Sequence, residues 1–430
     1  MKKILAAVLS LTLIFALLAG CGKAPEEVKE VQGVTEDTIY VGNTAATTGT
    51  FATVGVPFNA GMEAAFKVYN DAGGFDGRSI KLVHYDDGFD AAQGLTYTKT
   101  LVETDKVFAL VGHFGTNTVG ATLDYLKETG IPMVYAVTGI PELYQENATG
   151  SGRGIYPVQP IFNAEGRVLL ARAIAPASQG VGLGGTKIGV IATTDDAGDG
   201  LKYGIEKQNE DSKADIIYQE VEPAASDYSA AVNVLKNAGC DVVIAAMNQT
   251  PLATLMTSMR DANYNAKVIT SYVSASSVTL GAFVDNGSVT AQRPIYSTAW
   301  LDTSTEAGMA GYMEFAAAMS AWELENGGSG SDYVLNSYAM AGYIAGNLFV
   351  QALQRMAESG LELSWDNLND AMEAGDFNIP MGGTISFANG ARYGVTSLAL
   401  NTIALEKVND IYPLEVVSPI MSLDDVLAAK

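Results

Sequence analysis

Cysteine and histidine are almost missing from this chain, with two of each in 430 residues. Cys240 follows Gly239 and opens the apolar run Asp241–Met247. That is the setting of a buried structural thiol, not of a nucleophile. His84 and His113 lie far apart and match no metal-ligand spacing, which excludes ordinary zinc chemistry. Basic residues are also few. Against 48 Asp and Glu stand 25 Lys and Arg, a net charge of −23. A field of that sign argues against nucleic acid and anionic lipid as partners, since both are polyanions that need Lys and Arg. Catalytic signatures are missing too: there is no G-x-S-x-G, no H-E-x-x-H and no Walker-type glycine-lysine loop. The run Gly180–Gly185 satisfies G-x-G-x-x-G but precedes the strand at Lys187, where a dinucleotide site must follow one. It reads as a loop.

What is present begins with an export signal. Lys2 and Lys3 precede an apolar stretch from Ile4 to Leu18, too short and wrongly flanked for a permanent membrane span. Leu18-Ala19-Gly20-Cys21 resembles the bacterial lipobox, in which Cys21 becomes the lipidated first residue. Cys240 is then left without an intramolecular partner. Residues 22–33 are polar, Glu-rich and unpatterned, and are expected to form a flexible tether. About four hundred residues remain, enough for two domains with full cores. With 48% hydrophobic and 17% charged residues they are globular.

From Ile39 onward, short β-rich runs alternate with amphipathic helical stretches. The first series predicts strands at Ile39–Ala45, Ser79–Tyr85, Val107–Val111 and Ile131–Val137. Helices are expected at Phe58–Asn70, from Asp90 to Glu103, and around Val119, Leu123 and Leu126. A second series begins near Ala164, with strands at Lys187–Ala192, Asp215–Glu220, Asp241–Met247 and Lys267–Tyr272. Tyr228, Val232 and Leu235 share one face of a helix between them. Two long helices follow, Thr305–Glu325 and Asp332–Met356, joined by a turn over Gly327–Ser331. Such alternation builds parallel sheets covered on both faces, with ligands at the carboxyl ends of the strands.

Two acidic clusters, Asp86-Asp87-Gly-Phe-Asp90 and Asp195-Asp196-Ala-Gly-Asp199, have the oxygens to coordinate calcium. Each lies between a strand end and a helix start, where Asp caps free amides, so no metal or other cofactor is expected. The better binding signal is Gly112-His-Phe-Gly-Thr-Asn117, a strand–turn–helix junction. Its free N–H groups and the Thr116 hydroxyl suit a carboxylate; equally, Thr116 could cap its own helix.

Gly73–Arg78, Leu82–Asp87, Val107–Asn117 and Pro141–Leu143, in that order and spacing, resemble the branched-chain amino-acid-binding family of ABC importers. A looser match runs through Asp241–Tyr272 to Gly382–Phe387. The resemblance implies a type I periplasmic-binding fold, α/β, with two doubly wound parallel-sheet lobes joined by three crossovers. The crossings fall near Gln159, Trp300 and Arg392. It divides the chain into a signal peptide (1–20), a lipidated tether (21–37), lobe 1 (38–159 and 301–391) and lobe 2 (160–300 and 392–430). It also implies ligand contacts at Phe114, Gly115, Thr116, Val137, Thr138 and Gly139 in lobe 1, and at Asn248 and Tyr272 in lobe 2. Gly139 replaces a usual hydroxyl. Ala197 and Asn248 stand where the family often has aromatics, and Tyr272 where amino-acid-binding members place a carboxylate for the ligand ammonium. Burying an ammonium unpaired costs several kcal/mol. So either Asp195 or Asp196 supplies the charge, or the ligand has no ammonium; the second is the expectation here.

The resemblance thus implies a monomeric, membrane-anchored solute-binding lipoprotein that catalyses nothing and delivers a small polar or carboxylate-bearing solute, an amino acid or derivative, an amide or an aromatic acid, to an ABC transporter permease. A ligand sensor for a signalling receptor is the alternative. A secreted α/β hydrolase would need a nucleophile–base pair, and His113, expected near the cleft, has no motif serine or cysteine beside it.

Overall fold

The computed structural model describes residues 31–327 and 333–429. The signal, Cys21 and most of the expected tether lie outside them. The unit Gln32–Lys430 is compact in itself and holds every element named below. In chain order it opens with β1 (Thr38–Ala45), α1 (Ala52–Asp71), β2 (Ser79–Asp86), α2 (Ala91–Lys99) and β3 (Ala109–Phe114). Then come α3 (Thr116–Thr129), β4 (Met133–Val137) and β5 (Ile155–Pro157). These strands form a parallel sheet in the order β2-β1-β3-β4-β5. β3, buried along its whole length, lies at the centre, where only a run such as Ala-Leu-Val-Gly-His-Phe is stable.

Past Gln159 the chain enters a second sheet through α4 (Phe162–Ile174), β6 (Ile188–Thr193), α5 (Asp196–Ser212), β7 (Ile216–Val221) and α6 (Ser229–Ala238). It continues with β8 (Val242–Ala246), α7 (Gln249–Asp261), β9 (Lys267–Thr270), α8 (Ser277–Asp285) and β10 (Ile295–Ala299). At Trp300 it leaves for α9 (Glu306–Asn326), α10 (Ser337–Glu358), α11 (Trp365–Glu373), β11 (Phe377–Ile379) and β12 (Gly383–Ile385). α9 and α10 pack on α1, on the first sheet. Past Arg392 it returns to add β13 (Leu398–Ile403), β14 (Leu414–Met421) and α12 (Leu423–Ala428). The second sheet runs β14-β13-β10-β9-β8-β6-β7, parallel from β7 to β10 and antiparallel through β13 and β14. Two doubly wound sheets linked by three crossings form the type I plan.

Where α1 meets α10, the backbones touch. A Cβ on Gly61 would lie 1.9 Å from the Ala339 carbonyl oxygen, and one on Gly342 1.8 Å from that of Phe58. No side chain fits at either point. Phe58, Met62, Phe66 and Phe349 bury beside the seam, each worth about 1.5–3 kcal/mol.

Several boundaries differ from the sequence reading. α1 begins at Ala52, not Phe58, because Pro57 is accommodated inside it instead of opening it. The helix capped by Asp90 is α-helical only to Lys99 and ends as a π-turn over Thr100–Thr104. α10 starts at Ser337, where the Asn336 side chain accepts from two backbone N–H groups; the expected start at Asp332 lies outside the described residues. The end of the expected tether is not free. Gln32 donates to the Val107 carbonyl at 3.0 Å, and Tyr40 N–H donates to that of Gly33. Cys240 is buried, and burial raises its pKa. His113 turns away from the space between the sheets. It is enclosed by the hydroxyls of Thr44, Thr98 and Thr122, and desolvation lowers its pKa to about 3. It is therefore neutral and structural.

Candidate ligand-binding site between the two sheets

The carboxyl ends of both sheets open onto a cavity of about 390 Å³, a volume suited to a small solute. On the first-sheet side the polar part of the wall is a strand–turn–helix junction set among the rings of Phe51, Phe58, Phe89 and Phe114. β3 ends at Phe114, and Gly115 turns the chain with φ 104°, a conformation that disfavours any L side chain. A Cβ there would also come within 3.1 Å of the Phe89 ring. α3 then begins at Thr116 with no side-chain cap. The Thr116 hydroxyl lies 3.1 Å from that of Thr138. Self-capping, the competing reading of Thr116, is not what the structure contains. The first N–H groups of α3 have no intrahelical acceptor and carry the positive end of its dipole.

The second-sheet side is made of side chains. Asn248 precedes α7 and leaves it, too, without a side-chain cap. Tyr272 faces the cavity with its ring, because its hydroxyl donates to the Pro160 carbonyl at 2.9 Å. The Tyr272 hydroxyl is thus already bonded at the crossover and leaves the ring to face the solute. Beneath it lies Glu165 of α4, fully buried. Its carboxylate accepts from Tyr272 N–H at 2.8 Å, from Ser271 Oγ at 2.7 Å and from Thr298 Oγ1. Desolvation outweighs those bonds and raises its pKa to about 7.

Of the eight contacts expected from the sequence, Phe114, Gly115, Thr116, Val137, Thr138, Asn248 and Tyr272 line this cavity. Gly139 does not. It packs where a Cβ would meet the Pro160 carbonyl at 2.5 Å and the Phe162 ring at 2.9 Å, so it shapes the crossover. Asp195 and Asp196 do not line it either. Asp195 caps α5, accepting from Gly198 N–H and Thr193 Oγ1, and Asp196 is directed at Gly120 of α3. The carboxylate that does line the cavity is Asp302, whose Oδ1 accepts from the Ser304 amide at 2.7 Å. No Lys, Arg or His is among the lining residues.

Aromatic and aliphatic side chains that the sequence reading missed complete the walls. Phe51 and Phe89 stack with centroids 4.0 Å apart, and Trp300 leans on Tyr135. Phe51 and Phe89 follow β1 and β2, so the carboxyl-end rule applied to every strand would have found them. Ser337 Oγ donates to the Ala275 carbonyl at 2.8 Å and Tyr338 Oη to that of Val273 at 3.0 Å, joining α10 to the loop after β9.

A family model described as periplasmic binding protein matches residues 38–403. A Leu/Ile/Val-binding protein homologue of Brucella abortus is 28% identical over 52% of this chain and 57% of its own length. The chain spans less than two thirds of the curated relatives it matches first. A fatty acid ABC transporter substrate-binding protein from Thermomonospora curvata superposes with a TM-score of 0.76 at 16% identity, over 93% of this chain and 96% of that one. A branched-chain amino acid transporter substrate-binding protein from Streptococcus pneumoniae, in complex with isoleucine, gives 0.69 at 19% identity, over 89% and 100%. These relatives are solute-binding proteins and not enzymes. The match across most of the chain, on two lobes around a cavity, makes this chain a member of the periplasmic binding protein family.

Proposed function

We propose that this protein captures a small carboxylate-bearing solute without an ammonium group and delivers it to an ABC importer permease, held to the membrane by a lipid on Cys21. One observation carries the ligand reading. Among the polar points of the cavity, beside Gln159, Gln249 and Asp302, are the uncapped starts of α3 and α7 and the Thr116–Thr138 hydroxyl pair, and no cationic side chain accompanies them. Helix starts and hydroxyls favour an anion, and two of them together replace the missing cation. The solute meets the Thr116–Thr138 surface first; closure brings up Asn248 and the Tyr272 ring, and the ligand favours the closed arrangement by its contacts with both walls. The family name and the signal-like N-terminus support a place outside the cytoplasm. Among the described residues no helix is long and apolar enough to cross a membrane.

A zwitterionic amino acid is the second reading, favoured by Asp302 in the wall and by the printed names of the curated relatives. Thermal-shift measurements on the unit Gln32–Lys430 with monocarboxylates, amides and leucine-like amino acids separate the two. A ligand at a hundred times its Kd stabilises by about 2.7 kcal/mol. Stabilisation by monocarboxylates alone supports the proposal; stabilisation by leucine alone assigns Asp302 to an ammonium and overturns it. For the anchor, Cys21→Ser is expected to release the full chain from membranes, and retention would exclude the lipid.

A further inference from the structure

The cavity has an arm that the hydroxyl pair and helix starts do not use. It follows β13 and β14 instead of the strand ends, lined by Asn401, Leu414 and Val416, with Val408, Ile411 and Pro413 around the turn. Ala299, at the cleft, pairs with Ala399, and Leu414, near the turn, pairs with Ile403. Four residues of ladder at about 3.4 Å each make the arm roughly 14 Å long. No charged side chain lines it. Val408 and Val416 are 61% and 45% exposed, and Leu335, on the first-sheet side of the same cavity, is 50% exposed. Apolar side chains left open together around a concave surface mark a place that another apolar group covers. Two polar residues interrupt the arm, Asn409 at the turn and Asn401 midway along the ladder. Asn401 Oδ1, on a side chain that is 6% exposed, and Ser297 Oγ, its neighbour across the ladder, both lack a hydrogen-bond partner among the described residues. A single donor between them, from solute or water, would satisfy both.

Resting on the carboxylate reading above, we propose that the ligand carries an aliphatic tail longer than an amino-acid side chain. The tail lies in this arm, and Ile411, Leu414 and Val416 set the length accepted. The carboxylate holds the solute at Thr116 and Thr138 while the tail covers the open valines.

Calorimetric titration of the unit Gln32–Lys430 with butanoate, octanoate and dodecanoate tests this. Each methylene buried in the arm is expected to lower Kd about threefold to fourfold until the arm is full, after which affinity levels off. Val416→Trp is expected to weaken octanoate about tenfold and leave butanoate within about twofold. Ile411→Trp, nearer the turn, is expected to weaken dodecanoate alone. Equal affinity for the three acids in the unsubstituted protein overturns the arm and leaves the carboxylate site standing. Binding of leucine with no binding of any of the three acids overturns the carboxylate reading itself. If a tryptophan variant fails to fold, the chain-length series in the unsubstituted protein still decides.

Discussion

Each wall of the cavity is braced from behind by a buried carboxylate, and the two braces differ. On the first-sheet side Asp87 accepts from Thr118 Oγ1 of α3 at 2.6 Å and from Phe89 N–H at 2.9 Å. It holds the start of α3 and the Phe89 ring in one position. On the second-sheet side Glu165 holds Ser271, Tyr272 and Thr298. Burial raises the pKa of both, and Glu165 reaches about 7. The first wall therefore presents the polar start of α3 and the Thr116–Thr138 hydroxyls, among aromatic rings, on the Asp87 brace. The second presents a ring and an amide over a group that changes charge near neutrality. The lesson is that polarity can face the solute or be kept beneath the wall, and this protein does one on each side.

The largest expected effect separates the braces by pH. Glu165 has a folded pKa of about 7 against an ordinary value of 4.5. The folded state therefore binds its proton more tightly, and that stabilisation is complete below the ordinary value and is lost as pH rises through about 7. The whole difference is on the order of 3 kcal/mol. Glu165→Gln keeps an oxygen for Tyr272 N–H and Thr298 and offers an N–H to Ser271, as the protonated acid does. Denaturation midpoints measured from pH 5 to pH 8 should fall for the unsubstituted protein and flatten for the variant. A slope that survives the substitution would assign the pH dependence elsewhere.

Next in size is the hydroxyl pair. Thr116→Val keeps the shape of the first wall and leaves Thr138 without its partner. The expected loss for a carboxylate ligand is about 2 kcal/mol, roughly thirtyfold in Kd. An unchanged Kd would move the ligand's acid away from α3. Asp87→Asn weakens the brace by replacing a charge-assisted bond from Thr118, and about 1–2 kcal/mol of folding stability should go with it in urea titration. The smallest effect is Tyr272→Phe. Its hydroxyl serves Pro160, not the solute, so about 1 kcal/mol of stability is expected to be lost with Kd nearly constant. A large change in Kd with stability intact would put that hydroxyl on the ligand and undo the contrast between the walls.

The sheets and the first wall were legible because their signals are local. β8 is an uninterrupted apolar run and β3 is broken only by His113, and the turn at Gly115 with Thr116 after it is a strand–helix junction written in consecutive residues. Asn248 and Tyr272 came only through the family resemblance; Asn248 lies just past β8 and Tyr272 just past β9, which ends at Thr270 and not at Tyr272 as expected. Asp302 was not legible. It lies in the crossover after β10, held by its N–H on the Met381 carbonyl and by the close approach of Gly308 of α9, and not by any motif. Glu165 carries no signal in the sequence beyond being an acid in the first turn of α4; the pairing of β9 with β10 brings Ser271 and Thr298 to it. The arm along β13 and β14 was invisible for a different reason. Antiparallel strands added at a sheet edge obey no carboxyl-end rule, and an alternating run such as Leu-Glu-Val-Val reads as a strand with one wet face.

The glycine seam between α1 and α10 has a mechanical consequence. Backbones in direct contact leave no side chains to rotate and take up strain, so the two helices respond to load as one stiff beam. One end of that beam carries Ser337 and Tyr338, which grip the loop after β9. If the second wall moves on closure as proposed above, a displacement imposed there would pass along the beam toward the far side of the first lobe, and a permease docked there would feel it as a shift in position and not as a change in shape.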